Sequence, residues 1–126
     1  MLQILQTRHI ENYSNIINQL GIESDTVSVS EATEQDKVTG FGVYYIDFDK
    51  MSVVIRYAKY DNLMLADGIY RSILFLAMMK GIEKAEFVLD DEKLSGDVKK
   101  LHLADENMKI ESISGMLDGC KNCKNA

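Results

Sequence analysis

The chain has no proline and no tryptophan, and only two cysteines among its 126 residues. Both cysteines, Cys120 and Cys123, fall in the last seven residues, so disulfides cannot staple the fold. An excess of positive charge is also missing. Lys and Arg total 14 against 20 Asp and Glu, a net charge of −6, and there is no basic run. That removes the electrostatic footprint of a nucleic-acid binder and makes anionic membrane surfaces poor partners. No apolar run approaches the roughly 20 residues needed to cross a bilayer, and the opening residues do not form an apolar leader. Together these absences predict a cytoplasmic protein that engages neither nucleic acid nor membrane.

What is present is a globular composition. Hydrophobic residues make up 46% and charged residues 27%, enough apolar material for one core, and seven methionines supply flexible filling. The length fits a single domain, drawn as residues 1–119 followed by a Cys-containing tail over 120–126.

Hydrophobic periodicity sets the order of elements. Leu2 and Ile4 alternate in a short opening strand. Ile10, Tyr13, Ile16, Ile17 and Leu20 recur at three- and four-residue spacing, which predicts an amphipathic helix over 8–20 closed by Gly21. The period then falls to two. Strands around Val29, Phe41–Phe48 and Met51–Tyr57, joined by polar turns at 31–37 and 47–50, predict an antiparallel meander. Bulky groups on both faces of 41–48 place that strand centrally. The apolar stretch 63–80 reads as a helix starting near Asp67, capped by that carboxylate and ended by Gly81. A buried strand at 86–89, a short helix at 97–103 with Val98, Leu101 and His102 inward, and a last strand near Met108 and Ile110 complete the order. The expected class is α/β, or α+β: a mixed, mainly antiparallel sheet of five to seven strands flanked by helices. The strands before and after the long helix are expected to run parallel.

Three segments carry a family resemblance. Lys37-Val38-Thr39-Gly40-Phe41-Gly42-Val43, Met51-Ser52-Val53-Val54-Ile55-Arg56-Tyr57 and Gly68-Ile69-Tyr70-Arg71-Ser72-Ile73-Leu74 resemble, in that order, the third strand, the fourth strand and the phosphate-loop-to-helix segment of the GNAT superfamily of acyl-CoA-dependent N-acetyltransferases. The resemblance implies an acyl-CoA N-acyltransferase-like fold. It also implies an acetyl-CoA site drawn from Ile55, Tyr57, Gly68, Ile69, Tyr70 and Arg71, with backbone N–H groups at a helix start facing the pyrophosphate. The family pattern there is Gln or Arg, two residues, Gly, one residue, then Gly or Ala. Those positions fall on Leu65, Gly68 and Tyr70, so only the central Gly matches. Tyr70 crowds the approach, and Asp67 brings a carboxylate toward the phosphates that Arg56, Lys59 and Arg71 would offset. With two of the three motif positions lost, the expectation is a non-catalytic or divergent GNAT-like protein that binds a small ligand or a protein partner. Its alternative is an acetyl-CoA-dependent N-acetyltransferase acting on a small amine.

Other candidate chemistry is local. Cys120 and Cys123 can grip a soft metal such as zinc, form a reversible disulfide, or stay idle; zinc would need His102 or a second subunit, hence a homodimer, to complete four ligands. A short helix over 112–119 is expected to dock the tail through Ile113, Met116 and Leu117. Tyr44, Tyr45, Tyr57, Tyr60 and Tyr70 include general-acid candidates, although tyrosines in such places usually pack. Glu31 and Asp47 are expected in solvated turns, and Asp90-Asp91-Glu92 reads as a solvated loop or a cation site.

Overall fold

The computed structural model describes residues 2–117. Six strands form one sheet whose spatial order is the order of the chain. β1 (Leu2–Gln6), β2 (Ser28–Glu34), β3 (Lys37–Asp47) and β4 (Ser52–Lys59) are antiparallel neighbours. β5 (Lys84–Phe87) runs parallel to β4, and β6 (Lys109–Ile110) returns antiparallel to β5. The expected mixed sheet, meander and parallel crossover are all present.

Each face of the sheet is covered by different sequence. A 3₁₀ turn (Ile10–Tyr13) leads into α1 (Ser14–Gln19), which ends at Gly21 with φ +70°. This segment lays Tyr13, Ile16, Ile17 and Leu20 against Val29, Val43 and Phe41 on one face. The larger core lies on the other face, beneath α2 (Leu63–Met79). There Ile69, Tyr70, Ile73 and Leu74 are fully buried against Ile55, Val53 and Ala58. Gly40 and Gly42 on β3 let α2 come this close: a Cβ at Gly40 would lie 2.7 Å from the Lys59 carbonyl oxygen, and one at Gly42 2.8 Å from Ile73 Cδ1. α3 (Glu92–Lys100) is capped by Asp91, which accepts from the Lys93 N–H, and adds Val98 to the same core. The helical turn at 113–117 docks through fully buried Ile113, whose N–H donates to the Glu83 carbonyl at 2.7 Å.

Several boundaries differ from the sequence reading. β2 runs through Glu34, and the turn is only Gln35-Asp36, both with positive φ, so Glu31 is a strand residue and not a turn residue. α2 starts at Leu63 rather than Asp67, because Asn62 is the cap: its Oδ1 accepts the Leu65 N–H at 2.8 Å. Asp67 instead bonds Arg71 one turn on, at 2.9 Å. The short helix lies at 92–100, earlier than expected, and His102 follows it exposed with φ +55°, not facing inward.

Candidate functional site

β4 and β5 share four paired positions, from Ser52 with Lys84 to Ile55 with Phe87. The Val88 N–H adds a last bond to the Ile55 carbonyl at 2.9 Å, and beyond it the strands part. β4 continues to Lys59 while the chain leaving β5 turns into α3. The opening between them is lined by Tyr57, Ala58, Lys59, Tyr60, Asp91, Lys93 and Leu94, with a volume of about 140 Å³.

A β-bulge shapes this opening. Val43 pairs with Tyr57 and Tyr44 with Ile55, which leaves Arg56 unopposed. Arg56 and Tyr57 consequently both lie on the α1 face of the sheet. The Arg56 side chain is only 15% exposed and spans the gap. Its Nε donates to the Val88 carbonyl at 3.3 Å and an Nη to the Leu20 carbonyl at 3.1 Å, tying the end of α1 to the end of β5. A third neighbour, the Asp90 carboxylate, stands 4.0 Å from the guanidinium and is exposed.

On the α2 face the opening is crossed by α3. The Tyr60 hydroxyl donates to the buried Asp97 carboxylate at 2.6 Å, and Lys93 Nζ sits 5.7 Å from the Tyr60 ring centre. Tyr70 packs edge-on to Phe87 at 5.3 Å and to Tyr60 at 6.3 Å. Burial pushes the pKa of both phenols up, and for Tyr60 the bond to Asp97 adds to that rise. A second aromatic group lies on the α1 face, where Tyr13, Phe41 and Tyr57 pack with tilted rings and the Tyr13 hydroxyl donates to Glu31. Burial, followed by that carboxylate, raises the Tyr13 pKa as well. These tyrosines hold neutral phenols in place rather than phenolates.

The start of α2 faces a different hollow, of about 250 Å³, lined by Leu2, Glu34, Thr39, Asp61, Asn62, Met64 and Leu65. Its charged groups are the carboxylates Glu34 and Asp61. Asn62 takes the Leu65 N–H, and the Asn62 carbonyl takes the Ala66 N–H at 3.1 Å, so the uncommitted donors of the first turn are those of Leu63 and Met64.

The residues singled out from the sequence are not gathered into one site, because they lie on both faces of the sheet and at its β1 edge. Ile55, Ile69 and Tyr70 are fully buried core side chains. Tyr57 borders the β4–β5 opening. Gly68 lies inside α2, where a Cβ would approach Ile4 Cδ1 at 3.0 Å, and Arg71 is held by Asp67. Cys120 and Cys123 lie outside the described residues; among the described residues no three His, Cys, Asp or Glu side chains converge as metal ligands. Sequence reasoning missed the Arg56 tie and the Tyr60–Asp97 pair. A lone Arg inside the apolar run 51–58 was a usable signal for the first. Tyr60 and Asp97 are 37 residues apart with no pattern joining them.

A mixed sheet, a parallel β4–β5 pair that splays past a bulge, and a long crossover helix packed on one face define a GNAT-like fold. Solved structures bear this out. The chain is similar to a ribosomal-protein-alanine N-acetyltransferase from Brucella melitensis biovar Abortus 2308, with a TM-score of 0.60 at 8% identity over 80% of this chain and 90% of that one. It is also similar to the aminoglycoside N-acetyltransferase AAC(6')-Iy in complex with CoA, with a TM-score of 0.54 at 15% identity over 81% and 84%. No protein-family model and no curated protein sequence matches the chain.

Proposed function

We propose that this is a GNAT-fold binding protein that does not transfer acetyl groups, and that it takes a small ligand or a protein partner in the cytoplasm. The observation that carries this is the start of α2 at Leu63. Gly68, Ile69 and Tyr70 then lie more than a turn inside the helix, where their N–H groups serve the i−4 carbonyls and cannot cradle a pyrophosphate. The hollow beside this first turn is lined by Met64 and Leu65, and its charged side chains, Glu34 and Asp61, repel an anion. The residues present do not fit the phosphate end of CoA.

The β4–β5 opening supports the same reading. Ligand pockets usually measure about 300–1,000 Å³. At about 140 Å³, with Arg56 across one face and Tyr60–Asp97 across the other, this opening admits only a small molecule. The second reading is an acetyl-CoA-dependent N-acetyltransferase acting on a small amine. It is favoured by the bulge and splay of β4, and by the similarity to an enzyme that was solved with CoA. Isothermal titration of the full chain with acetyl-CoA separates them. The binding-protein reading expects no saturable heat at millimolar cofactor, whereas micromolar affinity accompanied by amine-dependent release of free CoA would establish the enzyme.

A further inference from the structure

β1 is one edge of the sheet, and its hydrogen-bonding parity is fixed by its neighbour. Thr7 N–H donates to the Val29 carbonyl at 2.8 Å, continuing the register that pairs Gln6 with Ser30 and Leu2 with Glu34. In an antiparallel ladder every second residue bonds the neighbour, so Gln3, Leu5 and Thr7 face β2. The N–H and C=O groups of Leu2, Ile4 and Gln6 therefore point outward from the sheet.

Edge strands in native proteins are usually guarded by charge, proline or a bulge. β1 reads Leu-Gln-Ile-Leu-Gln and has none of these; its ladder with β2 runs without a register shift. Leu2 and Leu5 are 47% and 63% exposed. α2, whose Gly68 packs on Ile4, adds Met64, Phe75 and Met79 to the exposed apolar surface.

The charge distribution selects the occupant. β1 carries no charge, and α2 carries only Asp67 and Arg71, which neutralise each other at 2.9 Å. These two elements are electrically neutral on a chain of net charge −6. The charges that flank the edge are Glu34 and Asp61 beside Leu2, and Arg8 with Glu31 beside Leu5 and Gln6. An antiparallel second copy brings the Arg8 end of one chain to the carboxylate end of the other, whereas a uniformly basic partner is opposed at Arg8.

We propose that two copies of the chain pair β1 to β1, antiparallel, about a two-fold axis at Ile4. The outward N–H and C=O of Ile4 then exchange both bonds with Ile4 of the second copy, and each Leu2 stands opposite a Gln6. The contact is isologous and closes at two subunits, giving one continuous sheet. Two five-residue strands bury less than the roughly 1,600 Å² of a standard interface. The dimer is accordingly reversible, with dissociation in the micromolar range or weaker.

The register supplies its own test, because positions 2 and 6 of the two copies face each other. Sedimentation velocity is run on the full chain from about 1 μM to about 1 mM, the span of weak to moderate affinities. L2K/Q6K sets like charges opposite each other twice and is expected to weaken dimerisation about tenfold or more. L2K/Q6E sets opposite charges there and is expected to restore or exceed wild-type dimerisation. Circular dichroism checks that each variant is folded, and L2E/Q6E replaces L2K/Q6K if the latter is not. A wild-type chain that stays monomeric throughout overturns the proposal. So does a dimer indifferent to like charges at these positions, or one that L2K/Q6E does not rescue.

Discussion

Alanine at each of three glycines should give a graded result whose sign can be worked out atom by atom. At Gly40 the new Cβ would lie 2.7 Å from the Lys59 carbonyl oxygen, with Ile69 Cδ1 at 3.1 Å and Leu65 Cδ2 at 3.2 Å. The closest atom is backbone in the paired strand β4, so relief requires prising β3 from β4 or lifting α2. Overpacking of this kind costs about 1–3 kcal/mol, and the upper half of that range applies where backbone must move. At Gly42 the nearest atoms are Ile73 Cδ1 at 2.8 Å and Ile69 Cγ2 at 2.9 Å, side-chain methyls that can shift by a few tenths of an ångström. Loss of unfolded-state freedom offsets the strain by about 0.4–1 kcal/mol, leaving Gly42→Ala with a net cost of about 0–2 kcal/mol. Gly96, inside α3, has nothing within 4 Å of its added Cβ. There alanine should stabilise by about 0.5–1 kcal/mol through helix propensity. Urea unfolding with a common slope measures all three, and the midpoints should rank G96A above wild type, then G42A, then G40A. A Gly40→Ala protein as stable as wild type would refute the argument that these glycines set the height of α2 above the sheet.

Two further outcomes follow from the caps and the phenols. Asn62→Ala should cost about 1 kcal/mol of unfolding free energy as a lost N-cap, and Asp67→Ala only about 0.3–0.5 kcal/mol as a lost i,i+4 pair; the reverse order in urea melts would put the helix start at Asp67 after all. Tyr13, Tyr44, Tyr60 and Tyr70 all have folded pKa values raised above the ordinary 10.0 by burial first. Their contribution to stability is therefore complete below pH 10 and is lost as pH rises above it. Spectrophotometric titration should show these four of the six tyrosines staying protonated past pH 10 and ionising only as the fold opens, whereas six phenols titrating near pH 10 with the fold intact would contradict the burial argument.

The architecture was legible wherever side-chain period reports directly on burial. The change from three- and four-residue spacing in 10–20 to alternation in 41–57 located α1 and the β3–β4 hairpin, and Gly21 and Gly81 marked two helix ends by their positive φ. Boundaries failed where a polar residue had two possible jobs. Asp67 and Asn62 are both competent caps, and only the packing of Leu65 and Ala66 shows that the helix already exists before Asp67. Glu31 looked like a turn residue because it is charged. Its strand position is compensated by the Tyr13 hydroxyl, which comes from a separate element. The candidate site was less legible for the same reason. Arg56, Leu20 and Val88 meet through backbone carbonyls, which leave no trace in side-chain identity.

The match between strand order in space and strand order in the chain has a kinetic consequence. β3 and β4 each follow their partner across a short turn, so the β2–β3–β4 meander can assemble by successive local pairings with little loop-closure cost. The other pairings close across helices: β1 with β2 across α1, β5 with β6 across α3, and β5 with β4 only after the 17 residues of α2 have been made and folded back over the sheet. Growth of this kind is vectorial. The parallel β4–β5 joint, and with it the opening that Arg56 and Tyr60 span, belongs to the late steps of assembly rather than to the one that begins it.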